Sequence, residues 1–202
     1  MKKKIILVGG GGHANSCVEL IEKEKKYSIY GIVDLKKPTS KILRNYKYLG
    51  NVKKLEELRK IIDYLVISIG FINDYRIREK IFAKIKKLKF KIPNIISPSS
   101  LVSKNSYLGS GTMIFQNVIV NSNVSIGENC IINNKVLLEH DVKIGNNVHV
   151  STGTIINGSS SVGSNTFVGS GSIISNNIKI GKNCFIKIGS IVTKNIPNNT
   201  RF

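Results

Sequence analysis

A six-residue repeat dominates the second half of the chain and restricts what it can fold into. From Val102 onward every sixth residue is aliphatic, over sixteen consecutive positions. These are Val102, Leu108, Ile114, Val120, Ile126, Ile132, Leu138, Ile144, Val150, Ile156, Val162, Val168, Ile174, Ile180, Ile186 and Val192. Neither the 3.6-residue period of a helix nor the two-residue alternation of a half-buried strand gives this spacing. The pattern is typical of a hexapeptide β-helix, in which each hexad makes one short strand and one corner.

The residues between the aliphatic positions indicate the same all-β fold. The next residue is often Gly or Asn, as at Gly109, Asn121 and Gly127, and we expect it to take the corner, where positive φ is often needed. Four places after the aliphatic residue comes a small or β-branched side chain, as at Thr112 and Cys130. With three hexads in each coil, sixteen hexads predict between five and six coils.

The first half of the chain predicts a small α/β domain. We expect strands at residues 4–8, 28–34 and 63–70, with a further short strand at 89–92, and helices at 15–25, 54–60 and 73–88. Strands that alternate with helices in this way form a parallel sheet with helices on its faces. The sequence Ile-Pro-Asn-Ile-Ile-Ser-Pro-Ser at 92–99 joins the two halves. We therefore predict domains at 1–96 and 97–202.

The charge, the hydropathy and the cysteines indicate which partners, compartment and disulfides to expect. The net charge is +19, and residues 1–100 hold 23 basic and 9 acidic residues. No recognition motif accompanies this charge, so we expect anionic small molecules rather than nucleic acid as partners. No apolar run reaches membrane-spanning length, and the apolar run after Lys4 is too short for a signal peptide, so we predict a cytoplasmic protein without membrane contact. Cys130 and Cys184 lie 54 residues apart, which is three coils and too far for a disulfide.

A glycine-rich turn follows the first predicted strand. Gly9, Gly11 and Ala14 fit the pattern G-x-G-x-x-A, which lets a phosphate approach the backbone and the N-terminus of the next helix. Asp34 ends the second strand, where dinucleotide-binding proteins hold a ribose. Taken alone, the motif predicts an NAD-binding dehydrogenase or a tight turn without a ligand. The domain is only about 96 residues long, and no usual dehydrogenase substrate domain follows it.

Several motifs together carry a resemblance over the whole chain. They are the glycine-rich turn with His13 and Ala14, Asp34, Ile69-Gly70 followed by Asn73 and Arg76, Pro-Asn-Ile-Ile before the joint, and the hexads. The chain resembles the sialic-acid O-acetyltransferase-like family of hexapeptide acetyltransferases, which includes bacterial nucleotide-sugar N-acetyltransferases. The resemblance implies a Rossmann-like domain that binds the nucleotide-sugar and a left-handed β-helix that binds acetyl-CoA. By motif match, the substrate-binding residues are Gly10, Gly11, Gly12, His13, Asp34, Asn73 and Arg76.

The catalytic candidates are few. The solenoid contains two histidines, His140 and His149, and Glu139 and Asp141 flank the first of them. Acetyl transfer needs a base for the attacking group and a donor for the thioester oxyanion, and histidine is a neutral base near pH 7. Residue type alone leaves a solvated corner histidine equally open. The resemblance places the catalytic base on His140 and its orienting carboxylate on Asp141, with Glu139 in reserve.

The spacing of the two histidines bears on assembly. They are nine residues apart, half of an 18-residue coil, so they should lie on opposite sides of one prism and share a site only across a subunit boundary. The resemblance implies a homotrimer with its sites between adjacent β-helices. It also implies acetyl-CoA contacts from His149, Gly158, Ser170, Lys187 and Gly189, with the N–H of Gly158 facing the thioester carbonyl. Surface positions without a ligand remain alternatives for His149 and Lys187.

Three alternatives stay open. A γ-type carbonic anhydrase shares the β-helix but needs three zinc-binding histidines, and we expect no metal here. A second alternative is a nucleotide-sugar binder without catalysis. Within the enzyme reading, the acceptor is the amine of a nucleotide-linked amino-dideoxy sugar or a hydroxyl of sialic acid or a related nonulosonic acid. The chain also lacks the Gly-x-Pro-Ala-Lys segment that follows the last coil in many relatives.

Overall fold

The computed structural model describes residues 2–202 and divides them into two compact units. The first comprises the chain up to Gly70 together with Arg76–Ile95. The second comprises Phe71–Tyr75 and Ile96–Phe202. The main boundary therefore falls after Ile95, one residue before the predicted boundary between residues 96 and 97. The membership of Phe71–Tyr75 in the second unit has no counterpart in the sequence pattern, because it depends on contacts with residues far along the chain.

The first unit is a three-stranded parallel sheet with helices. Its elements are β1 (Lys3–Val8), α1 (Gly12–Glu24), β2 (Tyr27–Val33), α2 (Leu55–Arg59), β3 (Tyr64–Ile67) and α3 (Arg76–Lys87), with 3-10 turns at Leu43–Asn45 and Val52–Lys54. The strand order is β2-β1-β3, and both pairings are parallel. Ile5, Ile6 and Leu7 of the central strand are fully buried. This is the predicted Rossmann-like arrangement.

Most element boundaries in this unit differ from the prediction by one residue or more, and strand β3 ends at Ile67 rather than at residue 70. Helix α1 begins at Gly12 rather than at residue 15, because Gly11 is extended and serves as its N-cap. Helix α3 begins at Arg76 rather than at residue 73, because Phe71–Tyr75 belongs to the second unit. The expected fourth strand at 89–92 is reduced to a single bridge between Tyr64 and Lys91.

The second unit is a parallel β-solenoid of two-residue strands, as predicted. Its strands are β4 (Ile95–Ile96), β5 (Leu101–Val102), β6 (Tyr107–Leu108), β7 (Met113–Ile114), β8 (Ile119–Val120), β9 (Ser125–Ile126), β10 (Ile131–Ile132), β11 (Leu137–Leu138), β12 (Lys143–Ile144), β13 (His149–Val150), β14 (Ile155–Ile156), β15 (Ser161–Val162), β16 (Phe167–Val168), β17 (Ile173–Ile174), β18 (Lys179–Ile180), β19 (Phe185–Ile186) and β20 (Ile191–Val192). Each strand pairs in parallel with the strand one coil away, as Ile131 pairs with His149.

These strands form three sheets, which we name by face. Face I contains β4, β7, β10, β13, β16 and β19, face II contains β5, β8, β11, β14, β17 and β20, and face III contains β6, β9, β12, β15 and β18. Sheets of six, six and five strands correspond to between five and six coils. The predicted coil number is thereby confirmed.

The aliphatic column fills the centre of the prism. Of its sixteen residues, fourteen are buried, while Val102 and Leu108 at the start are only partly covered. The small residues four places later are buried as well, and their hydroxyls donate to carbonyls fifteen residues ahead. The Thr112 hydroxyl donates to the Gly127 carbonyl at 2.8 Å, and Ser172 donates to Lys187 at 3.0 Å. Buried hydroxyls are tolerated here because each has a partner.

The corners correct one detail of the sequence prediction. Positive φ falls three places after the aliphatic residue rather than one, as at Asn117 (57°), Asn123 (61°) and Asp141 (65°). The glycine directly after the aliphatic residue has another function. A Cβ on Gly109 would lie 2.5 Å from the backbone of Gly127 in the next coil. These glycines are needed for close approach of successive coils, not for a left-handed conformation.

One corner carries a ladder of asparagines. The side-chain amides donate upward from coil to coil, from Asn129 to Asn147 at 2.7 Å, Asn147 to Asn165 at 3.1 Å, Asn165 to Asn183 at 3.3 Å and Asn183 to Asn199 at 2.9 Å. Cys130 and Cys184 are buried free thiols beside this corner, in agreement with the expected lack of a disulfide between them. Within residues 2–202, none of the helices has both the length and the apolarity needed to cross a bilayer.

Candidate active site

The glycine-rich turn lies at the carboxyl end of β1, the central strand of the sheet. The N–H of Gly9, whose φ is 116°, donates to the Val33 carbonyl at 2.9 Å. Asp34 accepts from the N–H of Gly10 and from the N–H of Leu35, both at 2.6 Å. Its carboxylate therefore fixes the turn. In open α/β sheets, ligands bind in the crevice at these strand ends.

The middle of the turn is open, whereas its start is packed. A Cβ on Gly11 or Gly12 would meet no atom within 4 Å. A Cβ on Gly10 would lie 2.6 Å from Pro38 and 2.8 Å from the Asp34 carboxylate. No side chain caps the first turn of α1. The backbone N–H groups at this helix N-terminus can therefore donate to an anionic group such as a phosphate.

The segment after β3 forms the neighbouring wall of this crevice. His13 is partly buried and packs on Gly70, where an added Cβ would lie 3.1 Å from the imidazole. Below it, Arg78 is 1% exposed and donates to the carbonyls of Ile67 at 2.9 Å and Ile69 at 2.8 Å. Arg78 thus ties the start of α3 to the end of β3.

Arg78 is a residue that sequence reasoning missed. The charged composition of α3 favoured solvated lysines and arginines, yet Arg78, Phe82 and Ile85 are the buried residues of this helix. Their spacing of four and then three residues is that of one helix face, and this was the available signal.

Nearby, burial raises the pKa of the Cys17 thiol to about 12, although the Arg78 charge opposes the shift. Cys17 is therefore a packing residue rather than a nucleophile.

His140 lies at the corner between faces II and III of the solenoid. Its Nδ1 is 2.8 Å from Oδ2 of Asp141, and 59% of its side chain is exposed. The Asn123 amide donates to the other Asp141 oxygen at 2.5 Å. The hydrogen bond with His140, and then that from Asn123, lower the pKa of Asp141 below its usual value. The carboxylate can therefore accept Nδ1–H, which leaves the Nε2 lone pair to accept a proton.

Two neighbours complete this corner. A Cβ on Gly158, one coil further along, would lie 2.6 Å from both Cε1 and Nε2 of His140. The imidazole therefore packs directly on Gly158, and a larger residue would displace it. Glu139 does not contact the ring, because its Oε2 accepts from the Asn121 amide at 3.0 Å. Of the two flanking acids, the structure places Asp141 against the histidine.

His149 lies on face I and is 6% exposed, so it is not a surface residue. Its Nδ1 is 2.6 Å from the Phe71 carbonyl. Its ring makes edge contacts with Phe71 at 5.5 Å and Phe167 at 5.2 Å between centroids. His140 and His149 therefore lie on separate sides of the prism, as their spacing indicates. An acetyl-CoA contact from His149 stays a prediction.

The other predicted acetyl-CoA residues lie at the corner between faces I and II. The Ser170 hydroxyl is 2.8 Å from that of Ser151, and the Ser170 carbonyl accepts from the N–H of Gly189. Gly189 has a φ of 70° and open space around its Cα. The side chain of Lys187 is exposed. Face II is thus bordered by His140 at one edge and by these residues at the other.

Asn73, predicted to bind substrate, contacts a residue that the sequence did not single out. Arg201 donates from Nη2 to the Asn73 side-chain oxygen at 3.4 Å, and its guanidinium lies 4.3 Å from the centre of the Phe185 ring. A cavity of about 70 Å³ adjoins this contact and is lined by Phe71, Asn73, Tyr75, Phe167, Phe185 and Arg201 among others. Arg76 is exposed at the start of α3.

Within residues 2–202, no three or more His, Cys, Asp or Glu side chains come together as a metal site.

Two family models match the chain in its two halves. Residues 4–85 match the PglD N-terminal domain, and residues 114–201 match the GMPPB C-terminal domain. The first match covers β1 to α3 and the glycine-rich turn. The second covers most of the solenoid, including the His140 corner.

One relative is similar to the chain in sequence, and two solved structures are similar to it in fold. The UDP-N-acetylbacillosamine N-acetyltransferase of Bacillus subtilis (strain 168) is 31% identical over 112 residues, which are 55% of this chain and 51% of that protein. The matched region thus spans about half the length of this curated relative. A histidine-to-asparagine mutant of perosamine N-acetyltransferase from Caulobacter crescentus, in complex with CoA and GDP-perosamine, has a TM-score of 0.91 at 27% identity and covers 98% of this chain and 92% of that one. PerB from the same organism, also with CoA and GDP-perosamine, has a TM-score of 0.89 at 28% identity, with 96% and 91% covered.

Proposed function

We propose that this chain, a member of the hexapeptide-repeat sugar acetyltransferases that carry a PglD-type N-terminal domain, transfers an acetyl group from acetyl-CoA to the amine of a nucleotide-linked amino-dideoxy sugar. The observation that carries this proposal is the hydrogen-bonded pair of His140 and Asp141, 2.8 Å apart on an exposed corner. Two of the relatives named above are N-acetyltransferases, and both of the solved structures contain CoA and GDP-perosamine. We also propose that the reaction takes place in the cytoplasm.

The proposed chemistry is direct acyl transfer. The amine lone pair attacks the thioester carbonyl carbon, a C–N bond forms, and the carbonyl π electrons move to oxygen. Nε2 of His140 takes a proton from the nitrogen, while Asp141 holds Nδ1–H and stabilises the imidazolium. The intermediate then collapses, the C–S bond breaks, and the CoA sulfur leaves with the proton that His140 returns. Acetyl-CoA is a co-substrate, and this scheme uses no metal.

The remaining site residues take supporting roles in the proposal. The N–H of Gly158, against which His140 packs, would donate to the oxyanion. Acetyl-CoA would lie along the corner of Ser170, Lys187 and Gly189, with His149 near its reactive end. The backbone of Gly10, Gly11 and Gly12, with His13, would bind the diphosphate, for which the open turn at α1 supplies N–H groups. Asp34 would lie near the nucleoside, and Asn73 and Arg76 near the rest of the ligand.

The proposed assembly is a homotrimer, and the composition of face II supports it. Its outward residues are all aliphatic: Leu101, Ile119, Leu137, Ile155, Ile173 and Ile191. Leu101 is 69% exposed and Ile191 is 66% exposed. The outward residues of face III, by contrast, are Tyr107, Ser125, Lys143, Ser161 and Lys179. The stripe is continuous, with four of its six residues exposed and Leu137 and Ile155 partly buried, and such an apolar patch is characteristic of an interface.

Threefold packing of face II would also complete the site. If each face II turns toward a common axis, the edge that carries His140 meets the opposite edge of the next prism, which carries Ser170 and Gly189. The base of one chain would then lie beside the acetyl-CoA corner of its neighbour. This arrangement agrees with the expectation that the site needs residues from two prisms.

The function is tested by a panel of acceptors with acetyl-CoA, followed by mass spectrometry of the products. The panel contains GDP-perosamine, a UDP-linked 4-amino-dideoxy sugar and free sialic acid, each with the wild type and with His140→Ala. We expect the wild type to add one acetyl group to the amine of a nucleotide-linked sugar. Acetylation of sialic acid alone would replace the proposal by O-acetylation. No transfer together with no acetyl-CoA binding in calorimetry would indicate a binding protein.

A further inference from the structure

Two residues of the solenoid fasten the segment Phe71–Tyr75. One is His149, whose Nδ1 lies 2.6 Å from the Phe71 carbonyl, and the other is Arg201, which donates to Asn73. A continuous column of rings joins them. The His149 ring contacts Phe167 at 5.2 Å, Phe167 stacks on Phe185 at 5.3 Å with an interplanar angle of 22°, and Arg201 lies over Phe185. The segment is therefore held at both ends of one packed column.

The stacking of Arg201 determines what its charge can do. The guanidinium is planar, and its centre lies 4.3 Å from the Phe185 ring centroid, so one face of the group is occupied by the ring. The in-plane N–H groups remain available as donors. One of them, on Nη2, reaches the Asn73 side-chain oxygen at 3.4 Å. Arginine has no acceptor, so this contact requires Asn73 to present its oxygen to Arg201.

The contact fixes the orientation of the Asn73 side-chain amide. An amide whose oxygen is turned toward Arg201 turns its Nδ2 hydrogens away, where they can donate to another group. Diphosphate, ribose and sugar oxygens are all acceptors, so a fixed donor suits a nucleotide-sugar. Without Arg201, the amide of this exposed residue could rotate and present either end.

We infer that Arg201 is a positioning residue for nucleotide-sugar binding, which acts by holding the Asn73 amide so that Nδ2 donates to an oxygen of the substrate. This inference rests on the proposed function and on the role of Asn73 within it. It differs from a general attraction of anions by a positive surface. That attraction needs only the charge of Arg201, and not the planar geometry of its guanidinium or its stacking on Phe185.

A double-mutant cycle separates these possibilities. The variants are Arg201→Ala, Asn73→Ala, the double mutant and Arg201→Lys, with Lys194→Ala as a control that removes one exposed charge elsewhere on the solenoid. Michaelis constants are measured for GDP-perosamine, the UDP-linked 4-amino-dideoxy sugar and acetyl-CoA. We expect each single alanine variant to raise the KM for the nucleotide-sugar about 3–10-fold, as for one lost hydrogen bond. The double mutant should match Asn73→Ala alone, and Arg201→Lys should resemble Arg201→Ala.

The controls make each outcome decisive. The KM for acetyl-CoA and the thermal midpoint should stay unchanged, since both altered side chains are exposed. Additive effects in the double mutant, full activity of Arg201→Lys, or an equal rise in both Michaelis constants would each overturn the inference. A wild type that acetylates neither nucleotide-sugar would remove the proposed function and this inference with it. An active wild type with an unaffected Arg201→Ala variant would remove the inference alone.

Discussion

At the scale of single residues, His140 depends on two neighbours that the backbone restricts. Asp141 takes the left-handed conformation, which Asn and Asp adopt more readily than other residues with a Cβ, and its carboxylate then reaches Nδ1. Gly158 leaves room for the imidazole because it has no Cβ. Residue type alone left a solvated histidine equally open at this position, and only the family resemblance singled out His140 and Asp141. The packing of the ring on Gly158 was not visible, because it joins residues one coil apart.

The base assignment predicts a specific kinetic pattern. His140→Ala should lower kcat by about 10²–10⁴-fold, since general base catalysis is typically worth that much. The KM for acetyl-CoA and the thermal midpoint should change little, because the side chain is exposed and acts in the transition state. Steady-state kinetics and thermal unfolding measure these quantities. Asp141→Asn should lose less than His140→Ala, and Glu139→Gln least. Near-normal kcat in His140→Ala, where chemistry limits turnover, would refute the assignment.

The Asp141 carboxyl should titrate below its ordinary pKa of 3.8. Because the folded-state pKa is depressed, the interaction stabilises the fold above the unfolded pKa and is lost as the pH falls through the folded pKa. His140→Ala should raise the pKa of Asp141 most, and Asn123→Ala should raise it less, following the order of the two hydrogen bonds. Carbon NMR of the carboxyl group checks this. An unchanged titration in His140→Ala would contradict the observed pairing.

At the scale of elements, the hexad pattern predicted the strands better than the corners. Side-chain burial repeats every six residues, so the aliphatic column identified each strand. The residue with positive φ lies two places later than expected. Gly109 and Gly127, at the expected position, instead leave room for the backbone of the next coil. Arg78 and Phe71–Tyr75 were missed for a related reason. Their partners are backbone carbonyls and rings that only the tertiary structure brings near.

Close approach of the coils predicts a contrast between two glycines. A Cβ on Gly127 would lie 2.7 Å from the carbonyl carbon of Gly145, so Gly127→Ala should destabilise the protein by about 1–3 kcal/mol, as overpacking does. Gly171 has a φ of 67° and open space around it. Gly171→Asn should change stability by less than about 0.5 kcal/mol, because asparagine occupies the same left-handed position at Asn117 and Asn123. Urea unfolding of both variants provides the comparison. Equal losses would contradict both the coil contact at Gly127 and the tolerance of a side chain at Gly171.

The open turn after β1 predicts a selective binding defect. A side chain at Gly11 meets no protein atom, so Gly11→Val should fold normally yet block the approach of a diphosphate to the backbone. The KM for the nucleotide-sugar should rise at least about tenfold if several N–H contacts to the diphosphate are lost, while that for acetyl-CoA should stay constant. Parallel titrations of the two substrates test the difference. A common rise in both values would assign the turn a structural role only.

At the scale of the whole molecule, the chain divides its surface by face. Face II offers aliphatic side chains, whereas face III offers lysine, serine and Tyr107. The sequence contained this division, since the position before each buried aliphatic residue carries the same type of side chain every 18 residues on face II. Its meaning became visible only when the three columns were separated in space. The net charge of +19 would not oppose the proposed self-association through face II directly, because the outward strand residues of this face carry no charge.

The aliphatic stripe predicts how the trimer can be broken. Ile173→Arg places a charge on the fifth of the six strands of face II and should yield a monomer with strongly reduced activity, since the proposed site needs two prisms. Ser125→Arg adds the same charge on face III and should remain trimeric and active. Light scattering at micromolar concentration, together with acetyl transfer, reports both properties. A fully active Ile173→Arg monomer would show that one chain suffices.

The coil length also gives this half of the molecule a phase, in the sense that a reading frame has one. Each step of six residues carries the chain from one face to the next, and 18 residues return it to the same face one level higher. An insertion or deletion of six residues would therefore rotate everything beyond it, and the later part of the aliphatic stripe would run onto a different face. A change of 18 would preserve the register of every column and alter only the height. We therefore expect variation in length to be tolerated here in whole coils, whereas a smaller change would separate His140 from the edge that it meets in the proposed trimer.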